Sequence, residues 1–276
     1  MLKAVLFGRK KSTRPFAEFY DDWFATLSTT LLPHLRRVLS SSSISPAVLS
    51  VQVDAMHHHF HSYFLALDQA AAVDVAQCLY PEWRNSLEKP FLWLGDLHPY
   101  LFTNLLRSFL DDQDYSSQED DDDDDVSEYG TTAMNHEYFL GKPWHVAVAW
   151  RSPSKALTTR VDQIECGLRL MVPALAARAR QAQAKLVENV GTGKEGAVGE
   201  AVVAEMEELV GVMVDANRLR RSVLADVLSV TSVYQSALFL EALAHFLVGF
   251  RDDKLLREFA KCQIRLSTDH HQQLLN

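Results

Sequence analysis

The densest cluster of side chains able to hold a proton or a metal ion is His57, His58, His59 and His61. On a helix His57 and His61 fall at i and i+4, a spacing at which two imidazoles can share a metal. The run reads first as a solvated histidine face on an otherwise packed helix. His245 stands within the nearly all-apolar run Leu240–Leu247, where a histidine is expected to be a hydrogen-bonded core residue, with ligation as its chemical alternative. Gly191-Thr192-Gly193-Lys194-Glu195-Gly196 resembles a phosphate loop but lacks the G-x-x-x-x-G-K-[ST] spacing. Glu195 also stands where a magnesium-binding hydroxyl is needed, so the segment reads as an interhelix loop. The sequence has neither a G-x-S-x-G elbow nor an H-E-x-x-H helix. Arg84 and Glu88 sit at i, i+4 and permit a local ion pair, worth a few tenths of a kcal/mol if exposed. No catalytic set is assembled, so the expectation is a protein that is not an enzyme, with no resident cofactor or metal.

The elements that position these residues are helices. Phe16, Tyr20, Trp23, Phe24, Leu27, Leu31, Leu35 and Val38 recur at spacings of 3 and 4 and predict a helix over about 15–39, kinked or broken at Pro33. After the Ser40–Ser45 run, Val53, Met56, Phe60, Phe64 and Leu67 predict a second helix over about 48–77. Pro81 is expected to open a short helix through Trp83 and Leu87. Phe91–Asp96 reads as a buried apolar segment ending at a turn, and Pro99 as the start of a helix bearing Leu101, Leu105 and Phe109. Trp144, Val146, Val148 and Trp150 alternate, which permits a strand, yet no partner strand is visible and an irregular packed segment is preferred. A long stripe from Val161 to Leu186, bent at Pro173, precedes a helix carrying Met206, Leu209, Met213, Val223 and Val227. Helices over 233–250 and 255–266 follow. Trp23, Trp83 and Trp93 are expected to be buried core anchors.

These elements make an all-α fold: a single multi-helix bundle domain over residues 15–276, preceded by a basic flexible tail over 1–14 and interrupted by a disordered acidic loop at about 113–135. The composition agrees. Hydrophobic residues are 47% and charged residues 23%, which excludes wholesale disorder, and 11 glycines and 9 prolines are too few for a turn-dense β fold. Cys78, Cys166 and Cys262 are sparse and odd in number, as expected of reduced thiols in the cytosol or nucleus. No signal segment, spanning helix, myristoylation site or prenylation box is expected from the sequence as it stands.

Charge is segregated. Asp111–Glu128 holds 11 acidic and no basic residues, and without them the net charge of −9 becomes +2. The first 14 residues carry +5 through Lys3, Arg9, Lys10, Lys11 and Arg14. Such asymmetry points to interactions, and a chain with this acidic balance is not expected to bind DNA directly. Arg9, Lys10 and Lys11, beside Leu2, Val5, Leu6 and Phe7, suit peripheral contact with an anionic membrane surface. Glu119, Asp120, Asp121, Asp122, Asp123, Asp124 and Asp125 suit a basic protein surface. Ser12 follows Arg9-Lys10-Lys11 as a basophilic kinase site. Ser116 and Ser117, each with an acid three residues on, suit an acidophilic kinase.

Three blocks resemble the delay-of-germination domain of plants. The first is Phe16-Ala17-Glu18-Phe19-Tyr20-Asp21-Asp22-Trp23, similar to the domain's F-x-x-x-Y-x-x-W opening helix. The second, Trp83-Arg84-Asn85-Ser86-Leu87-Glu88-Lys89-Pro90-Phe91-Leu92-Trp93-Leu94-Gly95-Asp96-Leu97-His98-Pro99, is similar to the Phe-Leu-Trp block of that domain in TGA-type bZIP factors. Gly95-Asp96 and His98-Pro99 here replace Gly-Gly and Arg-Pro. The third is Gln235–Phe246 with Leu255-Leu256. Neither a basic region nor a leucine zipper accompanies the domain, which removes the DNA-binding half of the bZIP members.

Within the family the chain is most similar to the members that act in pollen aperture formation. That resemblance implies a non-enzymatic adaptor or scaffold at plasma-membrane domains of microspores, specifying sites that lack exine. It implies as partners a second protein of the same domain type and an AGC-type protein kinase. The location implied is cytoplasmic and peripheral at the plasma membrane, with the nucleus as the alternative. Two other readings stay open at this point: a haem-binding sensor using His245 as axial ligand, because a member of the family is linked to haem through histidines, and a nuclear co-regulator that binds a transcription factor or phosphatase.

Overall fold

The computed structural model describes residues 15–43, 45–111, 142–191 and 197–261. Pro15 stands one residue before α1 (Phe16–Thr26), which buries Tyr20, Trp23 and Phe24. Pro33 does not break the chain's helical course. It occupies the first turn of α2 (Leu32–Leu39), and the five residues before it, Leu27–Leu31, form a π turn. A proline has no N–H for the i−4 bond and its ring crowds that carbonyl; widening the preceding turn absorbs both defects.

The second predicted helix is divided. α3 (Pro46–Ala71) buries Leu49, Val53, Met56, Phe60, Phe64 and Leu67, as the periodicity requires. It stops at Ala71 because Asp74 caps a new helix, α4 (Val75–Leu79), by accepting the Gln77 N–H at 3.1 Å. Residues 81–88 form turns instead of the expected helix. The Asn85 side chain accepts the N–H groups of Leu87 and Glu88, at 2.9 and 3.0 Å, and the Glu88 carboxylate accepts that of Asn85 at 2.8 Å. These local bonds offer the backbone a better closure than one helical turn.

A 3₁₀ turn (Lys89–Phe91) then leads into a hairpin of β1 (Leu92–Trp93) and β2 (Asp96–Leu97), paired antiparallel as Leu92 with Leu97 and Trp93 with Asp96. Leu94 and Gly95 take φ of 45° and 83°, the positive values that a two-residue type I′ turn needs at both positions. α5 (Tyr100–Asp111) follows where Pro99 predicted it.

Past Pro143 the chain makes one helical turn, α6 (Trp144–Ala147), and further turns to Trp150; no strand forms within the described residues 142–150. α7 (Lys155–Gly191) continues through Pro173 and pairs antiparallel with α8 (Ala197–Val230). The pairing is laced by Arg160–Asp226 at 2.6 Å and Arg178–Asp215 at 2.7 Å. α9 (Val233–Gly249) opens with a capping box between Ser232 and Gln235 and packs against α2, α3 and α5 with most of its surface covered. α10 (Asp253–Lys261) buries none of its residues.

The described residues are thus all-α apart from one two-stranded hairpin, and the core lies among α1, α2, α3, α5 and α9 with the inner faces of α7 and α8. The tail over 1–14 and the acidic loop at about 113–135 lie outside the described residues. The tryptophans divide differently from expectation. Trp23 is buried, but Trp83 and Trp93 are only partly so: Trp83 packs against Phe16, and Trp93 covers the guanidinium of Arg220 from the hairpin's edge. Trp150, which the sequence marks only by its place in an alternating run, is buried against Phe109.

Candidate functional site

The centre of the molecule holds charge. Arg84, on the turn before the hairpin, is 3% exposed, with Glu88 and Asp96 at 0% and 1%. Arg84 Nη2 donates to Asp96 Oδ2 at 3.0 Å and to Tyr63 Oη at 2.8 Å, and Nη1 lies 3.6 Å from Glu88 Oε1. Tyr63 Oη also donates to Asp96 Oδ2, and Tyr20 Oη to Glu88 Oε1 at 3.0 Å. The guanidinium lies 4.6 Å from the Tyr20 ring centroid. One arginine therefore joins α1 through Tyr20, α3 through Tyr63, its own turn through Glu88 and the hairpin through Asp96. The i, i+4 pair, a weak contact had it been exposed, is the buried centre of the fold. Burial alone would drive the Arg84 proton off, but Tyr63, Asp96, Tyr20 and Glu88 outweigh it and hold Arg84 above its usual range. Burial also pushes the Tyr20 and Tyr63 phenols upward, so both remain donors.

A second arginine grips the hairpin from behind. Arg220 of α8, fully buried, donates to the carbonyl oxygens of Leu97 (2.7 Å), Asp96 (3.1 Å) and Trp93, and to Asn217 Oδ1 (2.6 Å). Asn217 in turn donates to Asp68 of α3 at 2.7 Å. Burial pushes Arg220 down to about 10, which leaves it charged at neutral pH. Asn85 Nδ2 donates to the Phe250 carbonyl at 2.9 Å and ties the same block to the end of α9. The arrangement is a closed lock: Arg84, Glu88, Asp96 and Arg220 are buried against one another and away from solvent, with Arg84 Nε and Nη1 left without a hydrogen-bond partner among the described residues.

His98, at the hairpin's exit, accepts the Tyr100 N–H on Nδ1 at 3.2 Å and stacks on the Tyr100 ring. Burial, and then Arg220, hold its pKa below the ordinary 6.5. A folded value below the unfolded one means that the folded state takes up fewer protons; the stabilisation is present above about 6.5 and is lost as pH falls through the folded value. The thermal midpoint is expected to drop between pH 7 and 5, and to drop less in His98→Asn, which keeps a neutral acceptor; equal drops would remove His98 from the acid response.

His59 turns inward instead of joining a solvated face. Its ring stacks on Trp23 at 4.9 Å, Nε2 donates to the Trp23 carbonyl at 3.0 Å, and Trp23 Nε1 donates to the His59 carbonyl at 3.0 Å. His57, His58 and His61 lie on the outer side of α3 with Asp54 and Ala55. His245 is exposed rather than a core residue, because it falls on the outer side of α9, and its electrostatic neighbours are Arg36, Glu241 and Lys142. Charged neighbours on an open surface do not supply the apolar walls that enclose a porphyrin, so this position does not fit an axial haem ligand. Arg9, Lys10, Lys11, Ser12, Ser116, Ser117, Glu119, Asp120, Asp121, Asp122, Asp123, Asp124 and Asp125 lie outside the described residues, as does the glycine-rich loop beyond Gly191.

Sequence reasoning missed Tyr20, Tyr63, Asp96, Asn217 and Arg220 as one set. A signal for two of them exists: Asn217 and Arg220 continue the stripe Leu209, Met213, Leu224, Val227 at helical spacing, and polar residues in register with a core stripe imply buried partners.

A helical domain built on a charged lock around the Trp83–Pro99 block is the class defined here. The family model for seed dormancy control, DOG1, matches residues 31–108, which take in α2 through most of α5 and the whole block. The chain is 44% identical over 273 residues to "Protein INAPERTURATE POLLEN1" of Arabidopsis thaliana, covering 92% of this chain and 96% of that one. It is 36% identical over 262 residues to "Protein INAPERTURATE POLLEN 1 homolog" of Oryza sativa subsp. japonica, covering 93% of each. The chain belongs to the inaperturate pollen family of plant proteins.

Proposed function

We propose that this chain is a pollen aperture factor that works as a non-enzymatic adaptor, marking plasma-membrane domains of microspores where exine is withheld. The observation that carries the reading is the extent of the likeness, 44% identity across 92% of this chain and 96% of a relative named for inaperturate pollen. The closed lock supports the adaptor half of it, because the strongest ionisable groups in the fold are engaged in holding segments together. Exposed large side chains offer contact area in their place: Trp144 is 73% exposed and Phe259 47%. A second protein of the same domain type and an AGC-type kinase are the proposed partners. Arg9, Lys10 and Lys11 are proposed to meet the anionic leaflet, each contributing roughly 1 kcal/mol, so protein partners supply the remaining affinity.

The test is a fluorescently tagged chain expressed in microspores of a plant lacking its own family member. Signal in discrete plasma-membrane domains, with apertures restored above them, is the expected result. A signal confined to the nucleus, or domains marked without any aperture, overturns the reading.

A further inference from the structure

Two imidazoles four residues apart on one helix face form half of a tetrahedral metal site. His57 and His61 are such a pair, both partly exposed, and with Asp54, Ala55 and His58 they line an open groove on the outer side of α3. Among the described residues no group of three or more His, Cys, Asp or Glu side chains is placed to hold a metal ion alone. An ion taken up by this pair therefore keeps coordination positions that the described part of one chain does not fill. We infer that His57 and His61 bind Zn²⁺ together with the same two histidines of a second copy of the chain, so that the metal bridges a two-fold dimer through α3.

The face around the pair suits a second copy. A two-fold axis through the metal lies level with residue 59, midway between the ligands. Leu65 is then about 9 Å away along the helix, at 1.5 Å per residue, and about 60° round it from the ligand pair, on the rim of the face that a second copy would cover. It is 43% exposed in the single chain. Charge is matched as well: four neutral imidazoles leave the cation's two charges, and Asp54 from each copy, exposed in the same groove, offsets them.

The test is sedimentation velocity of the full chain with chelator and with Zn²⁺, in a Cys166→Ser/Cys262→Ser background that removes competing thiols. The expected result is a doubling of mass on adding Zn²⁺, saturating in titration calorimetry at one ion per two chains. His57→Ala and His61→Ala abolish the shift, and His58→Ala retains it. Leu65→Glu weakens the dimer while leaving the ligands in place. Helical content is checked by circular dichroism, and the glutamine variants at 57 and 61 replace the alanine ones if those unfold. No change of mass with Zn²⁺, uptake of one ion per chain without dimerisation, or an undiminished shift in the His57 and His61 variants overturns the inference.

Discussion

Gly95→Ala is expected to destabilise the fold by about 2–5 kcal/mol, a large effect for one methyl group. Two causes add. The residue sits at φ 83°, where an L side chain meets its own backbone, and a Cβ there would lie 2.6 Å from the Cys78 carbonyl oxygen and 2.7 Å from Met213 Cε. The methionine can swing aside; the carbonyl belongs to α4 and cannot move without it. Nor can the hairpin back away, since Arg220 holds the carbonyl oxygens on both sides of the turn. Urea unfolding followed by tryptophan fluorescence measures the loss. Gly167→Ala is the control: nothing lies within 4 Å of its added methyl, and a helix interior gains about 0.5–1 kcal/mol from alanine. A Gly95→Ala midpoint equal to the wild-type one would show that hairpin and α4 are free to separate.

Arg84→Leu is expected to cost about 3–5 kcal/mol, the usual penalty for leaving buried charges without their partner. Asp96 and Glu88, at 1% and 0% exposure, would keep their phenolic donors but lose the only cation within ion-pair distance of either among the described residues. The combined variant Arg84→Leu/Glu88→Gln/Asp96→Asn should recover a substantial part of that loss, because it removes the orphaned charges along with the arginine. If the triple variant is no more stable than the single one, the lock acts through shape and hydrogen bonds alone and its charge is incidental.

The periodicity of the helices was legible because each buries one stripe: Tyr20, Trp23 and Phe24 in α1, or Val53, Met56 and Phe60 in α3, repeat at the spacing that a single covered face demands. Helix ends were less legible, since they turn on individual side chains. Asp74 divides α3 from α4, and Asn85 with Glu88 keeps residues 81–88 out of a helix. Neither effect has a period. The hairpin escaped notice for another reason: Leu94-Gly95 carries the glycine of a tight turn, but strands of two residues are too short to alternate. The lock was half visible. Arg84 and Glu88 stood at a meaningful spacing, yet Arg220 lies more than a hundred residues away, and no local pattern says that it reaches the carbonyls of Trp93 and Leu97.

The ties that close this fold run between distant parts of the chain: Asp21 with Arg251, Arg36 with Glu241, Asp68 with Asn217. A ribosome adding roughly 5–20 residues per second would expose the apolar faces of α1 to α3 for about ten to thirty seconds before α9 emerged to cover them. A nascent chain in that interval is a client for holding chaperones, and folding that waits on such remote contacts is slow. The same dependence bears on dissection. The span 31–108 carries the signature block but neither Tyr20 nor Arg220 nor α9. Expressed by itself it would leave Glu88 without Tyr20, the hairpin carbonyls of Trp93, Asp96 and Leu97 without Arg220, and α3 with an uncovered flank, so the most recognisable stretch of the protein is not a portable module.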